Sequence, residues 1–383
     1  MTHDDHDDHE ELEQFRSIVR SFSRRAFADT YLGRAKRGEY PRDTLKELAK
    51  NGLLGLCIPE DKGGQGAGLQ ALGIACEEVA YADPGVAYQM FGANVAADLI
   101  LHNGTAEVVE SWLGPLLAGE AVCAIALTEP GSGSDAQALA AKATPVDGGW
   151  MLSGEKTSIT QAPAADVSII VARESDTGRI SAFVVPMTSP GLSGQSFEDP
   201  GFRSVGRGSI AMDDVFVSPE QRLGSGGDGF AMIMREFDLS RTLIAFMCLG
   251  MAERAIDLTV EHIKGRTSFG RPLSHYQGVT FPLAEHLTYI AAVRALACAV
   301  LDARAGGRPH TVEAAMLKWW APQVGFNAVQ ECVVLHGHLG YSEEMPLQAL
   351  LRDVSGFQIG DGTPQIQKLI IARAAIGPEV MAR

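Results

Sequence analysis

Hydrophobic spacing changes twice along this chain, and those two changes limit the architecture more than any single motif does. From Leu12 apolar residues recur at intervals of three and four (Leu12, Phe15, Val19, Phe22), the period of a helix with one buried face. Pro41–Asn51, Leu69–Ala82 and Val86–His102 repeat this pattern around the turn-rich PEDKGGQGAG, so the first 120 residues read as a helical layer. Between about Ala121 and Arg235 the texture is different. Short β-prone runs (WMLSG, VSIIVAR, ISAFVVPM, GSIAMDDVFV) are broken by Gly, Pro, Asp and Ser about every ten residues, which suits an antiparallel β domain rather than βαβ units. From Phe237 long helical patterns return at Thr242–Lys264, Tyr276–Ala305, Val312–His336 and Pro364–Ile376, and their short connections predict a bundle of antiparallel helices. The expectation is an α+β multidomain chain: a helical domain over 1–120, a β domain over 121–235 and a helical bundle over 236–383.

With 383 residues, 46% of them apolar and 21% charged, each of these segments can bury a core of its own. The net charge of -15 excludes a nucleic-acid groove, which needs a basic face. An anionic ligand would have to rely on a few local Arg or Lys residues and on helix N-termini. Cys57, Cys76, Cys123, Cys248, Cys298 and Cys332 lie in apolar stretches without CxxC or zinc-type spacing, which predicts free thiols in a reducing, cytoplasmic setting. The opening MTHDDHDDHEELEQ is acidic and has no apolar core, unlike a secretory or transit segment. No run reads as the roughly 20 apolar residues of a membrane span. His3, His6 and His9 alternate with aspartates and could grip a metal, but a frayed, solvated tail is the favoured reading, and no metal is expected.

The chemistry begins at LTEPGSGSD (Leu127–Asp135), where small residues between a strand and a turn let backbone N–H groups approach a ligand, and Thr128 and Ser134 add hydroxyls. By itself such a turn reads more readily as a plain surface loop. The Rossmann fingerprint, a GxGxxG set within a βαβ unit, is absent, so a dinucleotide would have to be held in another way.

Four blocks give the chain a wider resemblance: AIALTEPGSGSD (Ala124–Asp135), GEKTSIT (Gly154–Thr160), FDLSR (Phe237–Arg241) with RTSFGRPLSHYQ (Arg266–Gln277), and LHGHLGYSEEMPLQALLRDVSGFQIGDGTPQIQKLIIAR (Leu335–Arg373). In this order and spacing they resemble the acyl-CoA dehydrogenase family from about Leu12 to Arg373. The resemblance implies FAD in a cleft between the domains and a homotetramer in which neighbours share the FAD sites. It also implies α-proton and β-hydride removal from an acyl-CoA, with an electron-transferring flavoprotein collecting the electrons. Ile125, Leu127, Thr128, Gly133 and Ser134 match the strand and turn that meet the flavin and its pyrophosphate, with Ser134 also facing the thioester. Ser158, Ile159 and Thr160 match the next flavin-facing strand, whose threonine bonds flavin N5. Arg266 and Gln277 match contacts to the FAD of the adjacent subunit, with Ser268 and Phe269 counted to the same cofactor site. Arg266 could instead be a charge that offsets a helix C-terminus. Val334, Leu335, Gly337, His338, Thr363 and Gln365 fall where the family completes the site. Asp238 and Arg241 match contacts to the CoA moiety, although Arg241 could instead be structural and hold the catalytic loop, two roles that can coexist.

Asp361, in IGDGT, stands where most members carry a catalytic glutamate, and it is the expected α-proton base. Out of context it would read as an Asp in a tight turn. A base of this kind needs a water-poor cleft and a polarised thioester carbonyl, and Gly360 and Gly362 on either side leave room for substrate. Aspartate is one methylene short, withdrawing the carboxylate by roughly 1.5 Å. Gly360 replaces an aromatic neighbour, so the pocket is expected to suit a bulky, branched or alicyclic acyl group such as cyclohexanecarboxyl. Ser240 replaces the glutamate that some members use as base, Ser158 an aromatic over the flavin, Val334 a glutamine and His338 a glycine. Acyl groups on a carrier protein, an oxygen-using flavin oxidase or monooxygenase, and a non-catalytic scaffold are the competing readings.

Overall fold

The computed structural model describes residues 3–377, 379 and 380, with side chains from Glu10 onward. Helix α1 (His3–Phe27) starts well before Leu12, so the stretch read as a frayed tail continues the helical backbone. No Gly or Pro interrupts it, and acidic residues at an N-terminus oppose the positive end of the helix dipole. The side chains of His3, His6 and His9 lie outside those described. Helices α2 (Tyr31–Arg37), α3 (Arg42–Lys50), α4 (Leu69–Ala82), α5 (Pro84–Asn103) and α6 (Ala106–Leu117) complete the layer. Asp83 caps α5 by accepting from the Gly85 and Val86 amides at 2.8 and 3.1 Å, and Pro84 occupies the first turn, where its missing N–H costs nothing. Helix α6 escaped the periodicity reading; the Thr105 hydroxyl accepts from the Val108 amide and starts it.

Strands β1 (Cys123–Ala126), β2 (Lys142–Val146), β3 (Gly149–Thr160), β4 (Val167–Glu174), β5 (Ile180–Pro186), β6 (Leu192–Ser196), β7 (Arg207–Val217) and β8 (Arg222–Leu223) form one sheet in the order β6-β7-β3-β2-β4-β5-β8, with β1 pairing β4. Most pairs are antiparallel, but β4 runs parallel to both β1 and β2. The β2–β3 hairpin intervenes before β4, so the chain returns to β4 in the direction of β1. The β3–β7 register shifts between Lys156 and Ile159, and this irregularity gives Ser158 its left-handed backbone (φ 60).

Helix α7 (Gly229–Gly265) begins at Gly229 rather than Thr242, so the FDLSR step lies inside a helix and not ahead of it. Its first turn lies against β5: a Cβ at Gly229 would meet the backbone of Ser181 and Ala182 at 2.7 Å. Beyond the short pair β9 (Thr267–Ser268) and β10 (Arg271–Pro272) come α8 (Gln277–Ala305), α9 (Thr311–Leu335), α10 (His338–Tyr341), α11 (Leu347–Gly356) and α12 (Pro364–Ile376). Helices α7, α8, α9 and α12 make the bundle. By length and composition α8 could cross a membrane, although no such run stood out in the sequence. It packs on α7 and α9 with only 28% of its most apolar window buried, leaving Phe281, Leu287 and Tyr289 exposed.

Buried charge ties the layers together. Glu77 accepts from Arg16 of α1 at 2.8 Å and from Arg294 of α8 at 2.5 Å. Asp353 of α11 accepts from the Tyr31 hydroxyl at 2.8 Å and from the Phe202 amide at 2.6 Å, joining α11, the helical layer and the sheet domain at one carboxyl. Burial raises this carboxyl to about 7, against the two hydrogen bonds, which favour its charged form. Because its folded value lies above its unfolded one, its contribution to stability is full at acid pH and is lost as pH rises from about 4 through about 7. Asp353→Asn should therefore fold and flatten the change in melting temperature between pH 5 and 8. An unchanged pH profile in the variant would rule this account out.

Candidate active site

Two buried groups join the first two motif blocks. Lys156 of β3, fully buried, donates to Glu129 Oε1 at 2.7 Å and to the Leu127 carbonyl at 3.0 Å. Glu129 also accepts from the Ala140 and Ala141 amides at 2.5 and 3.0 Å. Burial works to raise Glu129, but Lys156 and the two amides overcome it, so the carboxyl lies below its ordinary value. The Thr157 amide then donates to the Thr128 carbonyl at 2.9 Å, laying β3 beside the LTEPGSGSD turn. Along this cradle Ile125, Thr128 and Thr160 are half-buried, and Gly133, Ser134 and Ser158 are exposed. Leu127 and Ile159 are core residues, 5% and 2% exposed, and offer a ligand only backbone atoms. The Ser158 hydroxyl accepts from Arg207 at 3.1 Å.

Opposite the cradle, Asp361 lies in the turn between α11 and α12, half-buried and left-handed (φ 53). Aspartate tolerates that conformation better than most residues. The buried Ser240 hydroxyl of α7 donates to Asp361 Oδ2. Arg241 donates to the Asp361 carbonyl at 3.4 Å and to Asp238 Oδ1 at 2.8 Å, while Asp238 Oδ2 accepts from Thr311 at 2.6 Å. Both Asp238 oxygens are thus engaged internally, and Arg241 holds the turn. Gln367 of α12, fully buried, donates to the carbonyls of Asp361 and Gly362 at 3.1 and 3.2 Å. Gly362 (φ 94) is required by its backbone, and a Cβ there would collide with the Gln367 amide. At Gly360 an added Cβ would meet only the Gly356 carbonyl, 3.9 Å away, so this flank is open.

Tyr88 of α5 connects the two sides. Its hydroxyl lies close to that of Thr160, and burial together with the nearby Asp361 charge pushes it well above the ordinary tyrosine range. Its ring stacks on Phe357 (5.5 Å, 10°) and meets Phe91 and Phe202 edge-on at 5.5 and 5.3 Å, an aromatic wall beside the carboxylate.

The remaining expected residues gather elsewhere. Arg266, Val334, Leu335, Gly337 and His338 line a cavity of ≈ 500 Å³ whose wall includes none of the cradle. His262 and His336 stack within it at 4.3 Å. Burial, His336 and Arg266 all lower His262. Ser268 lies in β9, its carbonyl accepting from Tyr276 at 2.8 Å. Phe269 is 96% exposed, and Gln277 and Gln365 are exposed at the starts of α8 and α12, with half-buried Thr363 just ahead of Gln365. The sequence reading did not find Lys318, Gln367, Tyr88, His262, His336 or the Glu129–Lys156 pair. Glu129, Lys156, His336 and Gln367 had a visible signal, since each falls inside one of the four quoted blocks, whereas Lys318, Tyr88 and His262 fall in none.

Family models of the acyl-CoA dehydrogenase N-terminal, middle and C-terminal domains match residues 9–120, 124–215 and 227–376. An acyl-CoA dehydrogenase of Bacillus subtilis is 34% identical over 367 residues, 94% of this chain and 97% of that protein. The caffeyl-CoA reductase-Etf complex subunit CarC of Acetobacterium woodii is 32% identical over 367 residues, with the same coverage of 94% and 97%. The solved structure of butyryl-CoA dehydrogenase from Megasphaera elsdenii superposes with a TM-score of 0.91 at 32% identity, covering 95% of this chain and 98% of that one.

The Ser240 contact makes a separate prediction. Ser240→Ala should leave the melting temperature within a few degrees of the parent and lower acyl-thioester turnover roughly tenfold, the scale expected for one lost hydrogen bond to a charged group. Full turnover in the variant would show that this hydroxyl does not orient the carboxylate.

Proposed function

The chain belongs to the acyl-CoA dehydrogenase family, and from that premise we propose that Asp361 abstracts the α proton of a compact, branched or ring-bearing acyl-CoA. The protein is an FAD-dependent oxidoreductase that dehydrogenates acyl-CoA thioesters. The cradle residues fit the cofactor: a Cβ at Gly131 or Gly133 would meet nothing within 4 Å, and the buried Ser132 Oγ has no partner among the described residues. Ile125, Thr128, Gly133, Ser134 and Thr160 would hold the flavin end, and FAD when bound supplies the acceptor for the β hydride.

The observation that carries the proposal is a carboxylate fixed across the cleft from that cradle. Ser240 occupies Asp361 Oδ2, leaving Oδ1 to receive the proton. The amide and guanidinium bonds to the turn's carbonyls hold the carboxylate in place when substrate enters, and near-contact geometry of this kind is what proton transfer requires. The open flank at Gly360 and the wall of Tyr88, Phe91, Phe202 and Phe357 support a wide, short acyl group over a long straight chain.

An electron-transferring flavoprotein is the proposed electron acceptor, supported by the relative named as a subunit of an Etf complex. A homotetramer is supported by the exposed apolar face of α8 and by the Arg266–His338 cavity, separate from the cradle and suited to a neighbour's cofactor. Six free thiols suit the cytoplasm.

Anaerobic titration with straight, branched and cyclic acyl-CoAs should bleach the flavin most readily with the branched or cyclic ones. Asp361→Asn should keep its flavin and bind acyl-CoA yet lose at least about 100-fold in turnover, whereas unchanged turnover would move the base elsewhere. Stoichiometric peroxide during turnover would favour an oxidase instead. Tyr88→Ala should shift preference toward longer straight chains, measured as the ratio of kcat/KM values.

A further inference from the structure

We propose that Lys318 is a positioning residue for proton abstraction, a buried cation that grips the turn presenting Asp361 at both of its ends. The inference rests on Asp361 being the base.

Lys318 lies in α9 with its side chain fully buried. Its Nζ donates to the carbonyl of Phe357, the residue that caps α11 just past its last turn, at 2.7 Å, and to that of Gly362, immediately after Asp361, at 3.4 Å. Both partners are backbone carbonyls, one on each side of the carboxylate. An ammonium is costly to bury, and a leucine or methionine would fill the same space without that cost. Packing alone therefore gives no reason for a charge here. Holding carbonyls does: the end of a helix presents unpaired oxygens at the negative end of its dipole, and the three donors of an ammonium meet them from beneath. The grip spans the segment whose displacement by about 1 Å would cost two orders of magnitude in a reaction that depends on near-contact.

The ionisable groups facing Lys318 are Asp361 on the turn and Arg241 and Cys248 on α7, with Asp238 behind Arg241. Burial lowers the ammonium to about 8, Asp361 and Cys248 act to raise it, and Arg241 acts to lower it. Lys318 is thus charged below about pH 8 and loses charge and one donor as pH rises through that value, loosening the turn.

The test uses the FAD-loaded enzyme and whichever acyl-CoA of the panel reduces it fastest. Lys318→Met removes the donors and the charge at nearly constant volume. Expected are unchanged FAD content, a KM within about threefold, a kcat lower by about tenfold or more, and loss of the wild-type alkaline limb near pH 8. Asp361→Asn is measured alongside. An inactive Asp361→Asn beside a fully active Lys318→Met with the same alkaline limb would overturn the positioning role alone, and an active Asp361→Asn would overturn the reading beneath it. Should Lys318→Met fail to fold, hydrogen exchange in the wild type decides. Amides 358–362 should accelerate across pH 8 about tenfold beyond their intrinsic pH dependence, while those of β4 follow it. Parallel behaviour of the two segments would overturn the proposal.

Discussion

The carbonyl oxygens of Phe357, Asp361 and Gly362 are held by side chains from three helices: Lys318 of α9, Arg241 of α7 and Gln367 of α12. A left-handed aspartate between two glycines has little conformational preference of its own, so its direction comes from these backbone tethers. Because Arg241 and Lys318 come from the interiors of long helices and Gln367 from the first turn of α12, the packing of α7, α9 and α12 becomes the precision of the site. Asp238 and Thr311 belong to the same device, since they fix the Arg241 guanidinium from the side away from the turn.

The other wall of the cleft is set by a different kind of interaction. Glu129 and Lys156 form an ion pair inside the sheet domain, and the remaining carboxylate contacts come from the Ala140 and Ala141 amides. A pair with both partners so well hydrogen-bonded is costly to break from one side only, because the survivor is left charged and buried. Its effect is geometric. The glycine-rich turn, which has no hydrophobic reason to stay in one place, is pinned to β3, and the Thr128 carbonyl and Thr157 amide come into register. Tyr88 then reaches from α5 to the Thr160 hydroxyl, so the helical layer, the sheet and the bundle all contribute to one cleft.

Much of the fold was legible beforehand, because periodicity records which face of an element is buried. Leu69–Ala82 and Pro364–Ile376 have the ends expected for them, and the alternation of textures gave the three layers in order. The start of α7 was not legible. The β texture read for 121–235 ran past it, whereas the helix begins at Gly229, where the β5 backbone lies close against it. The parallel pairs of β4 were hidden for a related reason, since strand direction depends on which neighbour is reached and not on composition.

Within the site, residue types determined the chemistry on offer: a carboxylate between glycines, hydroxyls on a small-residue turn, and an arginine after FDLS. What each does was decided by tertiary structure. Ser240 read as the absence of a second carboxylate, yet its hydroxyl, 121 residues from Asp361, bonds that carboxylate. Lys318, 44 residues from Gly362, looked like one more polar position in an Ala-rich helix. A sequence states what a side chain can donate or accept. Which backbone carbonyl it meets depends on how whole helices cross, and that is settled only when the apolar faces of the bundle close on one another.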